Sequence, residues 1–209
     1  MATDRDTARQ VIETEAEALR VMAEALDESF GAALDLMERC GGKVIVAGVG
    51  KSGHVGRKLA ATLASLRTPA FFVHAAEAVH GDFGMITKED VAILISHSGE
   101  TTEVRAMLDT LDRIGCPIIT ITRTRDCSLA RRADVSLLTH VSFEADPLNL
   151  APTSSSTATL ALGDALGVAI ACRKGLTKEQ FRFLHPGGAL GARLRRETGD
   201  EKAEGGRSG

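Results

Sequence analysis

The segment KVIVAGVGKSG, residues 43–53, decides the fold. Its opening KVIVA is a β-branched apolar run, too short for a helix and without polar alternation, as in a strand buried on both faces. GVGKSG follows that strand directly and opens a helical pattern over 54–66. Exposed backbone amides and a helix dipole in that context bind phosphate, although glycines serving only a tight strand-to-helix turn would give the same letters. Two nucleotide readings fail. The GxGxxG of a dinucleotide site needs an acid about 20 residues on, where this chain has Thr68 and PAFFVH. The GKS of a P-loop needs a glycine five positions before Gly50, and Ile45 stands there, inside the strand.

Outward from this segment, PAFFV (69–73), DVAILI (90–95), PIITI (117–121) and residues 133–138 read as four further strands, with a helix at 102–114. Upstream, Leu19, Met22, Leu26, Phe30, Ala33 and Met37 recur at three- and four-residue steps over 12–37, an amphipathic helix with a break near 27–29 that Gly41-Gly42 ends. Strands trading places with helices require crossovers and a parallel sheet covered on both faces. The expected fold is therefore α/β: a three-layer α/β/α sandwich around a five-stranded parallel sheet, doubly wound and flavodoxin-like. Ligands in such a fold sit at the carboxyl ends of the strands, so the loops after strands one and three matter most. Residues 154–172 (SSSTATLALGDALGVAIAC) predict a long small-residue helix, nearly buried and packed against another subunit. A short helix is expected at 177–183, and HPGGALGARL (185–194) as a loop entering a last one. One domain spans 1–196, and the polar, glycine-rich residues 197–209 are expected to be disordered.

The bulk composition narrows the ligand. The 209 residues are 44% hydrophobic and 25% charged, in the range of one α/β domain with a full core. A formal net charge of −3 and a pI near 6.1 give no reason to expect nucleic acid or an anionic membrane as partner. Seven Phe with neither Trp nor Tyr would leave a base-stacking surface few platforms. The charged start MATDRDTARQ, the lack of an apolar run of about 18 residues and four scattered cysteines, read as reduced, place the protein in the cytoplasm. Small polar ligands remain.

The second loop, SHSGETTE (96–103), again joins a buried strand to a helix. Ser96, Ser98 and Thr101 can offer neutral donors to one phosphate while Gly99 lets the backbone come close; N-capping by Ser98 or Thr101 is compatible with that role. A third hydroxyl cluster, Thr153 and Ser154 through residue 157, follows Glu144 and Pro152 at the start of the long helix. Three such starts would converge at the strand ends and suit a phosphorylated, polyhydroxylated ligand.

At this point the sequence resembles a family. GVGKSGHVGRK, AAEAVHGDFGM, ISHSGETTEV, EADPLNLAPTSSSTATLALGDALGVA and HPGGALG look like the successive signatures of D-arabinose 5-phosphate isomerases, which are SIS-domain proteins. SGETTE alone indicates only an SIS domain, whereas the APTSS helix start together with HPGGALG narrows the match. The resemblance implies interconversion of D-ribulose 5-phosphate and D-arabinose 5-phosphate, feeding synthesis of the lipopolysaccharide sugar Kdo. It implies no cofactor, and a homotetramer with active sites shared between subunits. Carried over by position, it puts catalysis on Lys51, Glu103, Glu144 and His185, and phosphate binding on Ser52, Ser96, Ser98 and Thr101. Gly50, Gly99, Thr153, Ser154 and His80 complete the expected binding set. Many relatives carry a CBS pair after the SIS domain, and this sequence is too short to hold one; any regulation by such modules would be absent or come from another chain.

Isomerisation through an enediol needs a base to move a proton between adjacent carbons, a group to steady an oxyanion, and help in opening the ring. On that chemistry Glu144 is the carbon base, Lys51 the oxyanion partner, His185 the aid to ring opening or oxygen protonation, and Glu103 a positioning group. Glu103 equally fits a surface carboxylate favoured by a helix dipole. His185 precedes Pro186-Gly187-Gly188, a turn rather than an apolar face. His80 and Asp82 lie two apart, a single pair without HxxxH spacing, so hydrogen bonding in the sugar pocket is favoured over a metal site; His74 reads likewise. The alternatives left open are an SIS isomerase of heptose or hexulose phosphates, and a sugar-phosphate sensor that does no chemistry, which a helix-turn-helix would have supported.

Overall fold

Five runs of β-branched and aliphatic residues form β1 (Val44–Gly48), β2 (Ala70–His74), β3 (Val91–Ile95), β4 (Ile118–Thr122) and β5 (Val135–Leu138) in the computed structural model, which describes residues 2–187 and Arg193. All pair in parallel, in the order β2-β1-β3-β4-β5. Every residue of β1, β3 and β4 is buried, as continuous apolar runs in a covered parallel sheet must be. The period of two sorts them between faces. Val44, Val46, Ile93, Ile95, Ile119 and Ile121 join one core, and Ile45, Ala47, Ala92, Leu94 and Ile118 the other.

The first core is roofed by α1 (Asp4–Glu24), α2 (Glu28–Arg39), α3 (Gly50–Ser65) and α8 (Ser154–Arg173); the second by α4 (Ala75–Ala78), α5 (Thr102–Arg105), α6 (Leu108–Ile114) and α7 (Ser128–Arg132), with α9 (Lys178–Leu184) following α8. The three-layer doubly wound reading therefore holds. Three helix boundaries differ from the expectation. The helix expected over 12–37 begins at Asp4, behind a Thr3–Asp6 capping box, while the break expected near 27–29 is present, where Asp27 accepts from the Ser29 N–H and caps α2. The third helix starts at Gly50, which puts Lys51 and Ser52 in its first turn. The helix expected over 102–114 divides at Ala106–Met107 into α5 and α6. Three short elements went unread: α4, α7 and a 3₁₀ turn at Asp82–Met85. The helix expected near 194 and the tail at 197–209 lie outside the described residues.

Much of the burial assigned in advance to a second subunit is provided for α8 within the chain. It packs on α1, α2 and α3, and a Cβ on Gly163 would stand 3.1 Å from Leu59 Cδ1, so glycine sets how closely α3 approaches. By length and composition α8 could cross a membrane, contrary to the sequence expectation, yet half of the qualifying window is buried in this fold.

At the amino ends of the strands, aspartate side chains, one buried and one exposed, replace missing ladder partners. Asp90, 1% exposed, accepts from the Lys43 and Thr87 N–H groups, both at 2.7 Å, and pairs with the Lys43 ammonium at 3.4 Å. Asp134 accepts from the Ile118 N–H at 2.7 Å. The opposite edge, at the carboxyl ends, is left for loops.

Candidate active site

A cleft of about 440 Å³ opens at that edge, beside the point where β1 and β3 neighbour each other and the strand order reverses. Its walls come from the loop and first turn after β1 (Lys51, Ser52), the loop after β3 (His97, Ser98, Thr101), the end of β4 (Arg123), and the long loop leading into α8 (Glu144, Ser155 and neighbours). The three hydroxyl-bearing helix starts thus share one cavity. The chain reverses sharply at Gly50, φ +55°, before Lys51, whose exposed ammonium makes no hydrogen bond or ion pair among the described residues.

The loop after β3 is braced from within. Ser96 is buried, bonded through its hydroxyl to that of Thr101 at 2.7 Å and accepting from the Gly99 N–H at 3.0 Å. It shapes the loop from behind, while Ser98 and Thr101 face the cleft. Gly99 has φ +69°, and a Cβ there would meet Cys127, so only glycine fits. Ser98 accepts from the Glu100 N–H at 3.1 Å, and Glu100 reaches across to accept from the Ser128 N–H and hydroxyl.

Glu144 is held by the start of α8. Its Oε2 accepts from the backbone N–H groups of Thr153 at 2.8 Å and Ser155 at 3.1 Å, and from the Thr153 hydroxyl at 3.1 Å. Asp146 gathers the N–H groups of Leu148, Leu150 and Ala151, while Asn149, at φ +55°, accepts from the Glu144 N–H at 2.7 Å. Burial would raise the Glu144 pKa, but hydrogen bonds from Ser155 and Thr153 outweigh it and hold the carboxyl below its ordinary value. An already ionised carboxylate therefore shares the cleft with the exposed Lys51.

The other expected residues divide. Thr153 positions Glu144. Ser154 is fully buried with a hydroxyl that has no partner, and its neighbours Ser155 and Ser156 line the cleft instead. Glu103 lies exposed on α5, His80 exposed beyond α4, and neither lines the cleft. His185 ends α9, stacked on Phe181 at 4.0 Å between centroids with Nδ1 2.8 Å from the Phe181 carbonyl oxygen, also away from the cleft of its own chain. The GALG of the last signature lies outside the described residues.

The sequence reading missed His97 and Arg123. Burial pushes the His97 pKa below its ordinary value; Glu144 opposes that, and Arg123 adds to it. The imidazole is thus neutral near pH 7. The signal that could have found Arg123 is position alone, one residue beyond the end of β4, where parallel sheets present their ligand contacts. Among the described residues, no group of three or more His, Cys, Asp or Glu side chains is placed to hold a metal ion.

Comparison with known proteins matches residues 37–169 to the SIS domain model. The chain is 52% identical over 186 residues to the arabinose 5-phosphate isomerase KdsD of Escherichia coli K12, covering 89% of this chain and 57% of the relative. The corresponding figures for KdsD of Pseudomonas aeruginosa are 50% over 188 residues, 90% and 58%. This chain thus spans less than two thirds of the length of those curated relatives. Among solved structures, E. coli CFT073 c3406 in complex with arabinose 5-phosphate superimposes with a TM-score of 0.85 at 43% identity, covering 88% of this chain and all of that one.

Proposed function

This chain belongs to the SIS-domain family, and from that premise we propose that it interconverts D-ribulose 5-phosphate and D-arabinose 5-phosphate through an enediol, supplying Kdo and lipopolysaccharide synthesis in the cytoplasm. The observation that carries the reading is the meeting of an ionised Glu144, an exposed Lys51 and the hydroxyls of Ser52, Ser98 and Thr101 in one cleft. The names of the relatives, and the arabinose 5-phosphate held by one structural neighbour, support the pentose phosphate over other sugars.

In the proposed cycle the hydroxyls and the amides at the start of α3 hold the phosphate. Glu144 takes the proton from the carbon beside the carbonyl and returns it to the neighbouring carbon. Lys51 steadies the negative charge that collects on the oxygen between those events, a contribution of typically about 3 kcal/mol for one well-placed donor. His185 assists ring opening or oxygen protonation and Glu103 orients hydroxyls. Both lie off the cleft of their own chain, so they act here if a second subunit presents them. Exposed Phe143, Leu148 and Leu150 beside the cleft, and Phe183 next to His185, give apolar surface for such contacts and support the homotetramer.

The test is incubation of purified protein with D-ribulose 5-phosphate, watched by NMR for arabinose 5-phosphate. Lys51→Ala and His185→Ala should each lose at least about a hundredfold in kcat. A wild type that turns nothing over ends the isomerase reading; full activity in Lys51→Ala removes that residue from the chemistry.

A further inference from the structure

Arg123 is exposed on the cleft wall and, among the described residues, makes no ion pair and no side-chain hydrogen bond. That is unusual for its neighbourhood. Arg125 pairs with Asp27, Arg131 with Asp126, and Arg132 with Asp109 and Asp112. Among the described residues the cleft meanwhile holds two basic side chains, Lys51 and Arg123, against one carboxylate, Glu144. A guanidinium left unpaired while carboxylates are spent on every neighbour is available to an anion from outside, and its planar fork of donors matches phosphate oxygens.

Position selects which part of a ligand it meets. The Arg123 N–H donates to the His97 carbonyl at 2.9 Å, so the residue is pinned to the loop that carries Ser98 and Thr101. Burial keeps His97 neutral, and the Arg123 charge works in the same direction. The positive charge on this wall is therefore the guanidinium's. Arg123 also borders a shallow hollow with Thr124, Asp126, His140 and Ser142, where the Asp126 carboxylate disfavours an anion. The main cleft has hydroxyl donors and no carboxylate on that wall.

We infer that Arg123 is a phosphate contact of the cleft, supplying to the phosphate monoester dianion the positive charge that the serine and threonine hydroxyls lack. This rests on the sugar-phosphate reading above and adds to it a residue that sets affinity for the phosphorylated over the unphosphorylated sugar.

The experiment compares wild type, Arg123→Ala, Arg123→Lys and, as a control for lost surface charge, Arg125→Ala. Two readouts are taken: KM and kcat for D-ribulose 5-phosphate, and the dissociation constant of inorganic phosphate from ³¹P NMR titration, which needs no turnover. Arg123→Ala should raise KM and the phosphate constant about tenfold, worth about 1.4 kcal/mol, with a smaller change in kcat. Arg123→Lys should recover part of the loss, and Arg125→Ala should move neither value. Because Arg123 is exposed, an unchanged urea midpoint is expected and separates binding from folding. Phosphate titration of Arg123→Ala within twofold of wild type, or no phosphate binding by wild type, overturns the inference. Absence of isomerisation with the titration difference intact overturns the isomerase reading alone.

Discussion

The Ser155 backbone N–H donates to Glu144 Oε2 at 3.1 Å, so the carboxylate proposed to move the substrate proton also closes the start of α8. A helix start leaves several N–H groups without intrahelical partners. Glu144 satisfies two of them from the preceding loop, fixing its own orientation as it does so. Structure and chemistry at this residue are separable only by substitutions that remove one and keep the other.

Glu144→Gln retains an oxygen able to accept from Thr153 and Ser155 but cannot take a proton from carbon. It should fold within about 1 kcal/mol of wild type and lose at least about a hundredfold in kcat. Glu144→Ala strands the N–H groups as well and should cost about 1–3 kcal/mol in urea unfolding. Equal activity in Glu144→Gln and wild type would exclude it as the base.

The pH dependence follows from the direction of the shift. Hydrogen bonds hold the Glu144 pKa below its ordinary 4.5, so its contribution to stability is present above that value and fades as pH falls through the lower folded value. In kcat/KM, any acid-side loss belonging to Glu144 should fall below pH 4.5. An acid limb above pH 4.5 that persists in variants of both His97 and His185 and lies away from the second ionisation of the substrate phosphate, about pH 6, would contradict this assignment.

The sequence shows most of the scaffold and less of the site, for physical reasons visible in single residues. A run such as VIVAG or VAILI has no polar face, so burial on both sides is written in its composition. A hydroxyl in a loop carries no such mark. Ser96, Ser98 and Thr101 look alike in SHSGET, yet Ser96 turns inward to bond Thr101 while the others face the cleft. The same holds at the start of α8, where Ser154 is buried and Ser155 lines the cavity, a difference of one step around the helix. Arg123 carries no motif; only the position of β4 in the finished sheet gives it meaning.

If His185 completes the cleft of a neighbouring subunit, two inactive variants should repair each other. Lys51→Ala and His185→Ala, unfolded and refolded together in equal amounts, should recover about a quarter of wild-type activity by random assortment of subunits. Neither alone should recover. A mixture that remains inactive, with oligomers shown by light scattering to have re-formed, would exclude His185 as a residue that completes a neighbouring subunit's cleft.

Gly99 offers a sharper test of the loop after β3. Alanine there must hold φ near +69° and place a Cβ 2.7 Å from Cys127 Cβ. The combined strain and overpacking should cost about 2–4 kcal/mol and shift Ser98 and Thr101 enough to weaken binding of inorganic phosphate. Removing the Cys127 sulfur in a Gly99→Ala/Cys127→Ala double variant should return part of the stability, a coupling a double-mutant cycle measures. Additive costs would show that the loop yields without pressing on Cys127.

Asp90 tests whether scaffold and site are independent, because it lies at the amino end of β3, the opposite end of the strand from Ser96. Its carboxylate accepts from the Lys43 and Thr87 N–H groups and the Thr87 hydroxyl. Asp90→Ala leaves these donors buried without an acceptor, at about 3 kcal/mol or more; Asp90→Asn keeps one acceptor and should cost less. Burial would raise the Asp90 pKa, but the Thr87 and Lys43 hydrogen bonds outweigh it and hold it below the ordinary 3.8. The stability it contributes is therefore full above that value and lost as pH falls through the lower folded one. Between about pH 7 and pH 3 the gap in urea midpoint between wild type and Asp90→Asn should narrow only at the acid end. Per folded molecule, kcat/KM of Asp90→Asn should match wild type, since the strand transmits no contact from Asp90 to the cleft other than the rigid sheet itself. A fall in kcat/KM at unchanged folded fraction would show instead that the register of β1 against β3 sets the spacing between Lys51 and Ser98.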